Sequence, residues 1–198
     1  TADPSTIDLH RFARLVERAR AGGDDGEALT LFDEALGLWR GEVFAGLDTS
    51  WLHEVRAAHD AQRFAAELER NDLALADGQH GRLLTELVER SAAYPLDERL
   101  AGQLMLALYR SGRQADALFR YDRIRRALVD ELGADPGPPL QDLYGRVLAN
   151  DPALLTTVRP ASPPETALAR PAVPRHLPAP LRLFTGRARE MAILDALA

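Results

Sequence analysis

Gly78-Gln79-His80-Gly81-Arg82-Leu83, with Leu87 four residues further on, returns as Gly112-Arg113-Gln114-Ala115-Asp116-Ala117, with Tyr121 four residues further on. The offset is 34 residues. In each copy glycine breaks one helix, a short polar step follows, and an apolar position opens the next helix with a second one turn later. In the second copy a small first residue lets two antiparallel helices approach, and the larger residue fills the gap to the following pair. Gly23, followed by Ala28, Phe32 and Ala35, repeats this grammar 55 residues before the Gly78 copy, so the array is irregular. Stacked helical hairpins account for the three copies better than an arbitrary bundle with glycine at its turns.

Helical periodicity extends outward from these stretches. Leu9, Phe12, Leu15, Val16 and Ala19 share one face, with Asp3, Ser5 and Thr6 as candidate caps and Gly22 and Gly23 as the stop. A second helix is expected over Glu27 to Trp39, and Gly41 and Gly46 open a connector. A long helix over Ser50 to Asp77 carries the stripe Trp51, Val55, Ala58, Ala61, Ala65 and Leu68. Helices over Arg82 to Ala93 and Asp97 to Ser111 are parted by Pro95, with Asp97 as a cap. Another runs from Gln114 to Leu132 and ends at Gly133. Asp135-Pro136-Gly137-Pro138-Pro139 makes a rigid turn before a last helix over Leu140 to Ala149. Strand signals are nearly missing. The expected fold is all-α, with tetratricopeptide-like helical hairpin repeats (about seven helices) over residues 1–151 and a Pro-rich C-terminal linker. Eight prolines fall within residues 152–180, where apolar periodicity disappears. That segment reads as an extended linker outside the core. Residues 181–198 regain an amphipathic pattern at Met191, Leu194 and Leu197, as if a further domain begins.

The composition is that of a soluble globular chain: 46% hydrophobic and 27% charged residues in 198. Cysteine is absent, which removes disulfides, thiolate metal sites and cysteine nucleophiles. No apolar run approaches the ~18 residues of a membrane span, so no membrane role is expected, and a cytoplasmic location fits. The first residues lack the basic and apolar regions of a signal peptide and read as the start of a domain. All 24 basic residues are arginine, a compositional bias. Residues 1–151 hold 18 Arg against 27 acids, and residues 152–198 hold 6 against 3. Such an acidic body repels nucleic acid unless its arginines gather on one face.

No enzyme signature emerges. His53-Glu54 begins like a metalloprotease helix, but Ala57 stands where the second histidine belongs. Asp24-Asp25 and Asp33-Glu34 read as surface charge. No nucleophile elbow, P-loop or dinucleotide fingerprint occurs. Catalytic, metal and cofactor residues are therefore all expected to be none. The two tryptophans, Trp39 and Trp51, read first as core wedges and second as interface anchors. Arg110, Arg113, Arg120, Arg123, Arg125 and Arg126 crowd into 17 residues. Arg120 and Arg123 share a face by spacing, so Arg110, Arg113, Arg120 and Arg123 are the candidate partner-binding residues. Asp116, Asp122, Asp130 and Glu131 interleave with them, and a solvated, salt-bridged face explains them equally well.

Three segments carry a resemblance: Ile7-Asp8-Leu9-His10-Arg11-Phe12, Leu38-Trp39-Arg40-Gly41-Glu42, and Glu131-Leu132-Gly133-Ala134-Asp135-Pro136-Gly137-Pro138. In this order they resemble the bacterial transcriptional activator domain of SARP-type antibiotic regulatory proteins, over about residues 5–155. Phe184-Thr185-Gly186-Arg187, with Glu190, resembles the entry to an NB-ARC-type ATPase domain. The resemblance implies a parent protein with a winged-helix DNA-binding domain before Thr1 and an ATPase after the linker, where ATP or ADP would bind. The present segment would pack on that DNA-binding domain, help a homodimer form on DNA or contact RNA polymerase subunits, and activate secondary-metabolite genes. No sequence-specific DNA contact is implied for this segment. A plain peptide-binding scaffold without a transcriptional role is the alternative.

Overall fold

The computed structural model describes residues 8–40 and 50–156. Seven α-helices appear among them: α1 (Asp8–Ala21), α2 (Asp25–Gly37), α3 (Ser50–Ala76), α4 (His80–Ala93), α5 (Glu98–Arg110), α6 (Gln114–Leu132) and α7 (Pro138–Leu148). A 3-10 turn over Pro152–Leu155 follows. The expected caps Asp3, Ser5 and Thr6, the connector glycines Gly41 and Gly46, residues 157–180 of the linker and the segment 181–198 lie outside the described residues.

Local chemistry sets the helix ends. Asp24 accepts a hydrogen bond from the Glu27 N–H, and Asp97 accepts one from the Leu100 N–H, each satisfying a donor that a helix start leaves free. Gly78 and Gly112, at matching places in the two copies, have φ of 82° and 74°. Only glycine enters that left-handed region without strain, so the turn that defines the repeat needs it twice. Pro138 occupies the first turn of α7, where its missing N–H is harmless.

The helices pack as a stack of hairpins. Contacts join α1 to α2, α3 to α4 and α5 to α6 within pairs, then α2 to α3, α4 to α5 and α6 to α7 between them. A further set joins α3 to α5 and α5 to α7. This makes α3, α5 and α7 neighbours on one side of the stack. The signature positions behave as the repeat requires: Leu83, Leu87, Ala117, Tyr121, Ala28, Phe32 and Ala35 are all buried. One core gathers Phe12, Leu15, Val16 and Ala19 of α1 with α2; a larger one runs from Leu68 and Leu75 through α4, α5 and α6 to Leu140 and Val147.

Two expectations need correction. The predicted stripe of α3 holds only towards its C-terminal end. Leu68 is buried, but Ala58 and Ala61 are exposed and Trp51 is 68% exposed, while Leu52 is the buried residue of the first turn. Residues 66–75 meet α2, α4 and α5, whereas most of the first three turns face solvent, so the alanine spacing there marks no burial. The core also runs past Asp151. Asp151 accepts from the Ala153 N–H, caps the 3-10 turn, and brings Leu154 into the larger core at 5% exposure. The first residues of the expected linker, Pro152 to Leu155, are thus part of the fold.

Ala117 has no exposed surface and sits where α6 closes on its neighbours. Ala117→Leu is expected to overpack that contact and cost about 1–3 kcal/mol. A thermal melt that does not move would show that the small residue is not what permits the close approach.

Candidate interaction surfaces

The row of helices α3, α5 and α7 encloses a groove of about 390 Å³. Its walls are Leu75 and Ala76 from α3, Leu106 from α5, and Leu140 and Leu143 from α7. Gly102 lies on α5 opposite α7. A Cβ there would stand 3.6 Å from side-chain carbons of both Leu140 and Leu143. The polar end of the groove is fixed in place. Gln103 donates to the Leu68 carbonyl at 2.7 Å and to Asp72 at 2.6 Å, and Arg99 pairs with Asp72 at 2.6 Å. Glu98 accepts from the Gly137 N–H at 2.6 Å, which ties α5 to the turn before α7. An apolar trough with preset hydrogen-bonding groups suits an apolar segment of another chain.

The four candidate partner-binding arginines do not share one environment, and Arg120 and Arg123 are not on one exposed face. Arg110 faces the groove end and is spent on the protein's own backbone. Its guanidinium donates to the carbonyls of Leu75, of Leu154 at 2.7 Å and of Thr156 at 3.3 Å. Burial pushes its pKa below the usual arginine value. Arg120 is only 9% exposed, donates to the Ser91 carbonyl at 3.1 Å, and is shifted the same way by burial and then by Arg123. Arg113 lies on the surface, paired with Asp116 at 2.7 Å, and Arg123 is exposed. A spacing of three on a helix puts two residues within one sector, but the edge of the buried face runs between 120 and 123. Two residues of the four are therefore structural, and Arg113 and Arg123 remain available to a partner.

The tryptophans divide as well. Trp39 meets Phe12 edge-on at 5.5 Å, with the Arg63 guanidinium 5.2 Å from its ring centre. Trp51 points to solvent. Sequence reading missed a second exposed feature, Phe119 at 60% exposure on α6, with Val129 and Leu132 also exposed along that helix. Phe119 precedes Arg120 in the chain, and only the packing tells which of the two turns inward. The acidic pairs have structural work: Asp24 caps α2, Asp33 lies 3.5 Å from Arg82, and Glu34 holds Arg11 at 2.5 Å. Among the described residues no group of three His, Asp or Glu could hold a metal ion, and no helix is long and apolar enough to cross a membrane.

Comparison with known proteins gives a consistent picture. A family model for the bacterial transcriptional activator domain matches residues 7–148. Regulatory protein AfsR of Streptomyces coelicolor is 45% identical over 185 residues, which cover 92% of this chain and 18% of AfsR. Regulatory protein DnrI of Streptomyces peucetius is 35% identical over 156 residues, covering 77% of this chain and 57% of DnrI. The chain thus spans under a fifth of AfsR and a little over half of DnrI. Among solved structures, Mycobacterium tuberculosis EmbR in complex with a low affinity phosphopeptide superposes with a TM-score of 0.70 at 32% identity, over 80% of this chain and 44% of that one. These relatives are named as regulators of transcription or as regulatory proteins.

The Arg110 clamp makes a measurable difference from its neighbours. Arg110→Ala removes the link between the Leu75, Leu154 and Thr156 carbonyls and is expected to destabilise by about 1–3 kcal/mol, with faster hydrogen exchange at residues 153–156. Arg113→Ala is expected to change stability by no more than about 0.5 kcal/mol. Equal melts for the two variants would refute the assignment.

Proposed function

The chain belongs to the bacterial transcriptional activator domain family of SARP-type regulators, and on that premise we propose that it is the interaction module of a transcriptional activator of secondary-metabolite genes. In this reading it packs on a winged-helix DNA-binding domain that precedes it. It supports a homodimer on DNA and contacts RNA polymerase subunits. Residues 181–198 begin an NB-ARC-type ATPase domain that governs the module, and ATP or ADP binds there and not in the helical stack. The stack itself binds rather than catalyses, and the protein works in the cytoplasm.

The observation that carries this reading is the groove between α3, α5 and α7. Its apolar walls and preset polar end need no rearrangement to receive a segment of a transcription partner. Of Arg110, Arg113, Arg120 and Arg123, the exposed Arg113 and Arg123 are the ones a partner would meet. A scaffold that binds peptides with no transcriptional role is the second reading.

Leu106 and Leu143 are half-buried walls of the groove, so they are replaceable without emptying the core. Leu106→Gln with Leu143→Gln is expected to weaken capture of RNA polymerase or of the DNA-binding domain by about tenfold, equivalent to ~1.4 kcal/mol. Val88→Gln, on the exposed face of α4, is expected to leave capture unchanged. Undiminished capture by the groove variant would sink this use of the groove. Capture of a single peptide, with no transcription component, would favour the second reading.

A further inference from the structure

A second surface lies on the first helix. Arg11, Arg14 and Arg18 stand three and seven residues apart, within about 60° of one another around the axis of α1. With Leu15 and Glu34 they line a shallow hollow of about 240 Å³. Arg11 is held by Glu34 at 2.5 Å; among the described residues no carboxylate forms an ion pair with Arg14 or Arg18. The row is cationic in a body where acids outnumber arginines 27 to 18.

We propose that this arginine row contacts the phosphodiester backbone of duplex DNA beside the site read by the DNA-binding domain. The proposal rests on the transcriptional reading above. The row is about 10 Å long at 1.5 Å per residue, a length over which one strand presents about three phosphates at 3.4 Å each along the duplex. Guanidinium groups match phosphate oxygens in charge and geometry. The surroundings distinguish DNA from an acidic protein. Among the described residues no large apolar side chain is exposed on α1 or α2. A protein interface needs an apolar or aromatic anchor, whereas a phosphate backbone needs only placed charge. The outer face of α6 has the opposite character, since Phe119, Val129 and Leu132 accompany Arg123 and Arg126 there. The contact carries no base sequence; it adds affinity and fixes orientation.

The test uses the whole 198-residue chain. Binding to a labelled duplex of arbitrary sequence is followed by anisotropy as salt is raised. The expected slope of log affinity against log salt is about −2.7 for three phosphate contacts, and Arg14→Gln with Arg18→Gln is expected to reduce it by about 1.8. Arg125→Gln with Arg126→Gln removes the same charge from α6 and is expected to leave the slope unchanged. Polyglutamate is the competing probe. No binding to DNA at low salt, an equal loss in both double variants, or binding to polyglutamate in place of DNA would each overturn the proposal. Neither polymerase nor the groove enters this measurement, so DNA binding without capture of any transcription partner would uphold the row and remove the reading it was built on.

Discussion

Glu67, Arg70 and Asn71 are buried towards the C-terminal end of α3, and α2, α4 and α5 each supply a polar partner to them. Arg90 of α4 pairs with Glu67, Glu86 of α4 pairs with Arg70, and Gln103 of α5 accepts from Asn71 at 3.2 Å. Asp33 of α2 lies 3.9 Å from Arg70. Ion pairs of this kind add little net stability, because desolvation offsets attraction, but losing one partner leaves a buried charge that costs about 3–5 kcal/mol. Sliding α3 by one turn would strand all three groups. The polar layer therefore selects one register for α2, α4 and α5 against α3, and apolar packing then fills the space around it.

The groove depends on that register. Gln103 is held by the Leu68 carbonyl and Asn71 on one side and Asp72 on the other, so the polar end of the groove is an extension of the same network. With α5 so placed, Gly102 faces Leu140 and Leu143 across the groove. Arg110 closes the far end by joining α3, through the Leu75 carbonyl, to the turn after α7. One arginine thus ties together the last turn of a central helix and the end of the packed chain. Its cost in desolvation is offset by three carbonyls, those of Leu75, Leu154 and Thr156.

The hairpin grammar was legible because its causes are local. Gly78 and Gly112 must turn left-handed, Asp97 must cap, and Ala117 with Tyr121 must alternate small and large along one helical face. Helix periodicity also placed the inward residues of α1 and α2 correctly, since an amphipathic stripe is a property of a segment by itself. It misjudged the start of α3, where Ala58 and Ala61 at helical spacing are exposed, and it ended the core at Asp151 because a run of prolines looks like a linker even when its first turn carries a buried leucine.

The sequence by itself determined an all-helical chain, its repeat length, the caps and turns, and, through three short segments, the family. Those follow from the conformational limits of glycine and proline and from side-chain periodicity, which act over a few residues. Tertiary structure alone decided which charges are free. Arg110 and Arg120 turn inward while Arg113 and Arg123 stay out, and Trp39 packs while Trp51 does not. Burial is set by the helix that arrives from elsewhere in the chain, and the desolvation it imposes, rather than the residue type, separates an arginine that holds the fold from one that can hold a partner.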